Sequence, residues 1–236
     1  MVIKLLSLLL FSLLGAGTIM PQNTSTRNET RITYLAGDLQ LANLDDAAWN
    51  RTDLTITTYW SSALAPKHRH FKVRMLWSDT AVYVRFEANQ SEPLVVGGRP
   101  DITKKTRGLW DRDVCEIFIA PDRNNPNKYF EFEVAPTGEW IDLGIEVTPK
   151  GRLTDWEYRS GMEAAARIDK NKVVMAIKIP FAALGRTPKA GDVWLGNLFR
   201  CVGKDPARGY LAWRPTKTKT PNFHVPAAFG EFRFVR

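Results

Sequence analysis

Two aromatic residues stand where a buried strand would not place them. Trp110 follows the polar stretch Asp101 to Gly108 and precedes Asp111-Arg112-Asp113. Phe223 lies in the loop segment Thr220-Pro221-Asn222-Phe223-His224-Val225-Pro226, with proline on both sides. Rings held in loops offer an apolar face to solvent, whereas rings inside strands mostly pack in a core. A flat apolar face suits the C–H side of a sugar ring, and planar polar groups beside it suit the hydroxyls at the rim. The other seven tryptophans include Trp77, Trp194 and Trp213, which lie in or beside strand-like runs and read as packing residues.

Polar partners for such a ring are sought among charges that break an apolar pattern. Glu116 is the single charge in Val114-Cys115-Glu116-Ile117-Phe118-Ile119, and Arg200 the single charge in Leu198-Phe199-Arg200-Cys201-Val202. Burying a lone charge is costly, so each must be paired or must open on a cleft. Their natural partner is each other, either as an ion pair that fixes register or as a polar pair at the floor of a binding cleft. Asn222 and His224 flank Phe223 and complete the candidate set. Each has a plainer alternative: Trp110 as rim packing, Phe223 as a plug at the end of the fold, His224 as a structural hydrogen-bonding residue.

The elements that would position these residues are strands. Runs rich in Val, Ile, Phe, Tyr and Trp recur between turn signals at Phe71–Trp77, Ala81–Ala88, Val114–Ala120, Tyr129–Ala135, Trp140–Val147, Val173–Ile179, Val193–Val202 and Phe229–Val235. Phe130, Phe132 and Val134 alternate with Glu131 and Glu133, the pattern of a half-buried strand whose acidic face is solvated. The Glu116 run is apolar on both faces and must be covered on both. One helical turn is expected at Phe181–Leu184, after Pro180 and before Gly185. The fold class expected is all-β, a single antiparallel, jelly-roll-like sandwich of about ten strands spanning residues 32–236.

Before it, residues 1–20 carry a charged start, a short apolar middle and small residues, the layout of a signal peptide; residues 21–31 read as a polar tether. The expectation is therefore a secreted or periplasmic mature chain with no stable membrane span, acting as a monomer. The net charge of +8 is scattered, with one dense cluster at Lys104, Lys105 and Arg107, which argues against a nucleic-acid partner. Two cysteines and three histidines lack metal-site spacing, and a Cys115–Cys201 disulfide is left open.

Several segments resemble the family 9 carbohydrate-binding modules and their relatives. Leu44-Asp45-Asp46-Ala47-Ala48-Trp49 is similar to the family's opening, and Val73 to Trp77 with Ala81-Val82-Tyr83-Val84 to its paired early strands. Trp110 to Ile119 resembles its most distinctive motif, and Asn222 to Gly230 its closing signature. The resemblance implies a β-sandwich that holds an oligosaccharide or polysaccharide between two aromatic rings, with a carboxylate on its hydroxyls, and no catalytic role. On that pattern Trp110 takes one ring position and Glu116 the carboxylate. Phe223 falls where many members carry Trp, and Glu133 where some carry Arg. Arg200, Asn222 and His224 come from the residue argument alone. Members tend to hold structural calcium, toward which Asp45, Asp46 and Asp79 could contribute oxygens; no other cofactor is implied. Relatives are often attached to glycoside hydrolases, which implies a role in carbohydrate breakdown.

Three other functions compete. A glycosidase would need facing carboxylates, drawn from Glu116, Glu131 and Glu133. A haem-binding electron-transfer sandwich would draw axial ligands from Met75, Met162, Met175, His68, His70 and His224. A structural envelope protein would pack all its aromatic residues inside.

Overall fold

The computed structural model describes residues 28–51 and 53–236. The expected signal peptide and most of the tether lie outside the described residues. Thirteen strands carry the fold. In the first half of the chain these are β1 (Glu29–Tyr34), β2 (Leu54–Ile56), β3 (Phe71–Trp77), β4 (Ala81–Asn89), β5 (Val114–Ala120) and β6 (Lys128–Val134). Then follow β7 (Trp140–Thr148), β8 (Gly151–Asp155), β9 (Glu163–Asp169), β10 (Lys172–Pro180), β11 (Val193–Val202), β12 (Gly209–Ala212) and β13 (Gly230–Val235). The single turn of helix, α1 (Phe181–Leu184), ends on Gly185 at φ +67°, a left-handed position that glycine takes without strain.

The strands form one sheet in the order β8-β7-β6-β5-β11-β13-β1-β3-β4-β10-β9, with β12 on β11 and β2 on β3. The sheet curls on itself, so that its two halves face each other as a sandwich. Cys115, Ile117, Ile119, Phe132 and Val134 from one half share a core with Val73, Met75, Val84, Phe86, Met175 and Ile177 from the other. The parallel pairs of β1 with β13 and with β3 join the halves. β1 takes in Glu29 to Arg31, residues that by composition read as tether; pairing Glu29 with Glu231 and Arg31 with Arg233 gives this polar segment its place.

Two further apolar clusters lie outside that core. Leu39, Leu41, Leu44 and Trp49 cover Leu76, Tyr83 and Val174 on the outer face of one half. On the outer face of the other, Val114, Phe118, Tyr129, Leu143, Phe199 and Phe223 pack together. β5 is therefore buried on both sides, as its apolar pattern requires. Alternation also settles the cysteines: Cys115 points into the central core and Cys201 to the outer cluster, so both are free thiols on opposite faces. Among the described residues, no helix is long and apolar enough to cross a membrane.

Candidate functional site

The outer face of β5, β6, β7 and β11 is the floor of a cavity of about 380 Å³, within the range usual for small-molecule sites. Its lining includes Trp110, Glu116, Asn222, Phe223 and His224, so five of the six expected residues converge. Trp110 sits on the short 3-10 turn Leu109–Asp111, entered through Gly108 at φ +77°, with Leu109 fully buried beneath. Trp110 itself is 37% exposed. Beside it stands Trp156, in the turn after β8, with ring centroids 6.2 Å apart and planes tilted by 48°. The Arg107 guanidinium lies 5.0 Å from the centre of the Trp156 ring. Lys105 ties this second turn down, donating to the carbonyls of Asp142 and Tyr158 at 2.7 and 2.6 Å.

Phe223 is both a lining residue and a packing residue. Its ring stacks on Phe199 at 4.0 Å with planes 10° apart, and only 9% of the residue is exposed. Asn222 is exposed and uses its side-chain oxygen to accept the backbone N–H of His224 at 3.0 Å. His224 Nδ1 lies 2.8 Å from the Tyr129 hydroxyl, and its ring stacks on Phe118. Burial pushes the His224 pKa down to about 3, so the ring is neutral at physiological pH.

Two expectations are corrected. Arg200 and Glu116 do not meet. In the antiparallel register Glu116 faces Phe199 and Arg200 faces Cys115, so the two charges project to opposite sides of the sheet. Arg200 is buried in the interior, where it donates to the Arg69 carbonyl at 2.7 Å and to Gln90 Oε1; it is absent from the cavity lining. The second correction concerns Glu131 and Glu133, expected on a solvated face. They are 3% and 0% exposed, because that face carries the outer apolar cluster and is overlain by the loop around residue 223.

The floor thus carries three buried glutamates. Glu116 pairs across strands with Glu133, and Glu131 is the next residue on the same face of β6. Carboxylate oxygens of all three lie within 4.8 Å of one another. Burial, reinforced by the neighbouring Glu131 charge, pushes the Glu116 pKa up to about 8. Burial also raises Glu131, and burial together with Glu116 and Glu131 raises Glu133 further. Glu116 Oε1 accepts from the Cys201 thiol at 3.5 Å. Glu131 Oε2 and both oxygens of Glu133 are buried without a hydrogen-bond partner.

Sequence reasoning missed Trp156, Arg152 and Tyr210 in the lining and Arg208 beside it. Trp156 did leave a signal: like Trp110 it is an aromatic residue in a short polar stretch, Asp155-Trp156-Glu157. Arg208 holds the Trp110 turn in place, its guanidinium donating at 2.7 Å to each of the carbonyls of Gly203, Trp110 and Arg112. A lysine cannot span three such acceptors. Arg208→Ala is therefore expected to lower the melting temperature by several degrees, and Arg208→Lys to recover little of it. Any ligand stacked on Trp110 should bind about three- to tenfold more weakly in both variants through lost preorganisation, as calorimetry would measure.

Met75, Met162 and Met175 lie in the central core. His68 is 3.3 Å from Glu92, and His70 Nε2 is 2.8 Å from the Ala65 carbonyl. Asp45 pairs with Arg167, Asp46 caps the turn at Ala47–Trp49 by accepting from the Ala48 N–H, and Asp79 accepts from the Tyr34 hydroxyl. Those three acids do not converge on a calcium site.

A family model described as carbohydrate family 9 binding domain-like matches residues 42–236. No curated protein matches the chain. Among solved structures, a provisionally assigned carbohydrate-binding protein from Bacteroides uniformis is similar at a TM-score of 0.67 and 14% identity, over 88% of this chain and 99% of that one. A family 9 carbohydrate-binding module from Caldicellulosiruptor kristjanssonii in complex with cellotriose gives 0.64 and 16%, over 88% and 94%. A family 9 module from the same organism in complex with glucose gives 0.61 and 17%, over 88% and 97%. At these identities the likeness is one of fold.

Proposed function

The chain belongs to the carbohydrate family 9 binding domain-like family, and on that premise we propose that its cavity binds an oligosaccharide or a polysaccharide segment without cleaving it. One observation carries the reading: a part-exposed indole, Trp110, stands beside Trp156 at a cavity whose floor is polar. The ring faces take the apolar side of the sugar, while Glu116 and Asn222 take its hydroxyls. Because Phe223 is stacked on Phe199, the second aromatic surface is assigned to Trp156. The role this supports is an exported binding module serving polysaccharide breakdown.

The carboxylates favour binding over hydrolysis. A glycosidase places two carboxyl groups on either side of the bond it cleaves. Glu116, Glu131 and Glu133 project from one face of two neighbouring strands, so all three approach a ligand from the same side. Glucose and cellotriose, the ligands of the similar modules, are the first probes, followed by a wider panel, because Glu133 departs from the basic residue of the family pattern. Titration followed by tryptophan fluorescence and calorimetry is expected to show saturable binding of at least one saccharide, with no new reducing ends. Silence across the panel would overturn the reading. So would turnover that disappears in Glu116→Gln.

A further inference from the structure

We propose that Glu116, Glu131 and Glu133 hold one divalent cation at the cavity floor, with coordination positions left facing the cavity. Three carboxyl groups, none more than 3% exposed, share one small space, and Glu131 Oε2, Glu133 Oε1 and Glu133 Oε2 have no hydrogen-bond partner. Among the described residues, no lysine or arginine nitrogen comes within 4.0 Å of any of the three. Of the two guanidiniums nearby, Arg208 is committed to three backbone carbonyls, and Arg152 lines the cavity beyond ion-pair distance, its pull on Glu131 outweighed by burial. Sugar hydroxyls could donate to some of these oxygens, but neutral donors do not let three buried carboxyl groups ionise together, whereas a cation does.

The geometry fits one ion. Oxygens bound about 2.3–2.6 Å from a calcium ion can lie no further apart than roughly 5 Å, and oxygens of all three glutamates fall within 4.8 Å of one another. The donors are hard carboxylate oxygens, which select Ca²⁺ or Mn²⁺ rather than a thiophilic metal. His224 Nε2, 3.9 Å from Glu131 Oε2, is near enough to add a nitrogen and favour Mn²⁺. All three glutamates and His224 line the cavity, so ligand oxygens could complete the shell.

The chelator-treated full chain is titrated with Mn²⁺ by loss of the free-ion electron paramagnetic resonance signal, and with Ca²⁺ by calorimetry. One equivalent of either ion should bind with an affinity on the order of micromolar. Glu131→Gln and Glu133→Gln should each weaken it by about thirtyfold or more, and Asp45→Asn should not. No saturable binding of either ion to the wild-type chain at about millimolar concentration overturns the proposal, whatever the variants do. Binding unchanged in both glutamine variants overturns it too, because the ion then sits elsewhere. This experiment needs no sugar, so its failure and a failure of the saccharide reading are told apart. Once a saccharide is in hand, chelation should lower its affinity about tenfold or more; an unchanged affinity overturns the shared shell.

Discussion

Trp110→Ala is expected to weaken saccharide binding by about thirtyfold or more, some 2 kcal/mol, while moving the melting temperature by no more than about 2 °C. The two halves of this expectation come from the same geometry. Trp110 is 37% exposed at the rim, so truncating it leaves no closed cavity, and the turn beneath it is anchored independently by Leu109 and by Arg208 through the backbone. Its remaining exposed surface borders the cavity, where a sugar ring would cover it. Trp156→Ala should also weaken binding, since it removes the neighbouring ring and the seat of the Arg107 guanidinium. Phe223→Ala gives the contrasting result. Its ring is stacked on Phe199 and 9% exposed, so its loss leaves a cavity in the outer cluster and costs about 3 kcal/mol of stability. Calorimetric titration and thermal melts of the three variants separate ligand contact from packing. If Trp110→Ala leaves affinity unchanged, the exposed indole is not part of a sugar site.

The contrast between Trp110 and Phe223 also marks how far the amino-acid sequence could be read. Both stand in polar loop segments, and residue type and neighbours alike suggested exposure. What distinguishes them is whether another ring lies underneath, and Phe199, some two dozen positions earlier on β11, does so only for Phe223. Strand positions were legible because alternation and composition are local: β3, β5 and β11 fall at the boundaries their hydrophobic runs predict. Glu29–Arg31 and the short strands β2, β8 and β12 lack that signal and owe their conformation to the partner strand. Glu131 and Glu133 show the limit most clearly. Their alternation with Phe130 and Phe132 was read correctly, but the identity of the face was not, because the 223 loop that overlies it arrives from far along the chain. Arg200 and Glu116 failed for a related reason. Each was correctly identified as a buried charge, yet only the register of β11 against β5 decides that they point apart.

That buried acidic floor should make the metal-free protein less stable as pH rises. An unfolded glutamate ionises near its ordinary value of 4.5, whereas Glu116 in the fold holds its proton up to about 8. Between those values the native chain binds more protons than the unfolded one, so stability falls with increasing pH and the contribution is lost as pH passes through about 8. His224 acts on the opposite side: with its pKa pushed down to about 3, it penalises the fold only below the ordinary histidine range. The window from pH 6.5 to 8.5 therefore isolates the carboxylates. One proton over that window is worth about 2 kcal/mol, or roughly 4–8 °C of melting temperature for a domain of this size. Glu131 and Glu133 are raised as well, so Glu116 sets a floor to the effect rather than its total. Glu116→Gln cannot ionise and should remove the Glu116 share of the decline while raising the melting temperature at pH 8. The measurement is a series of thermal melts in chelator-containing buffers across the window, on wild-type and Glu116→Gln chains. Equal and flat profiles would mean that the floor is wetter than its burial indicates, with the three charges already screened. A decline that Glu116→Gln leaves intact would move the titrating proton to Glu131 or Glu133. In chelator-free buffer, a wild-type decline abolished by one equivalent of Mn²⁺ would tie the same carboxylates to the cation, because the ion takes the place that protons hold in its absence.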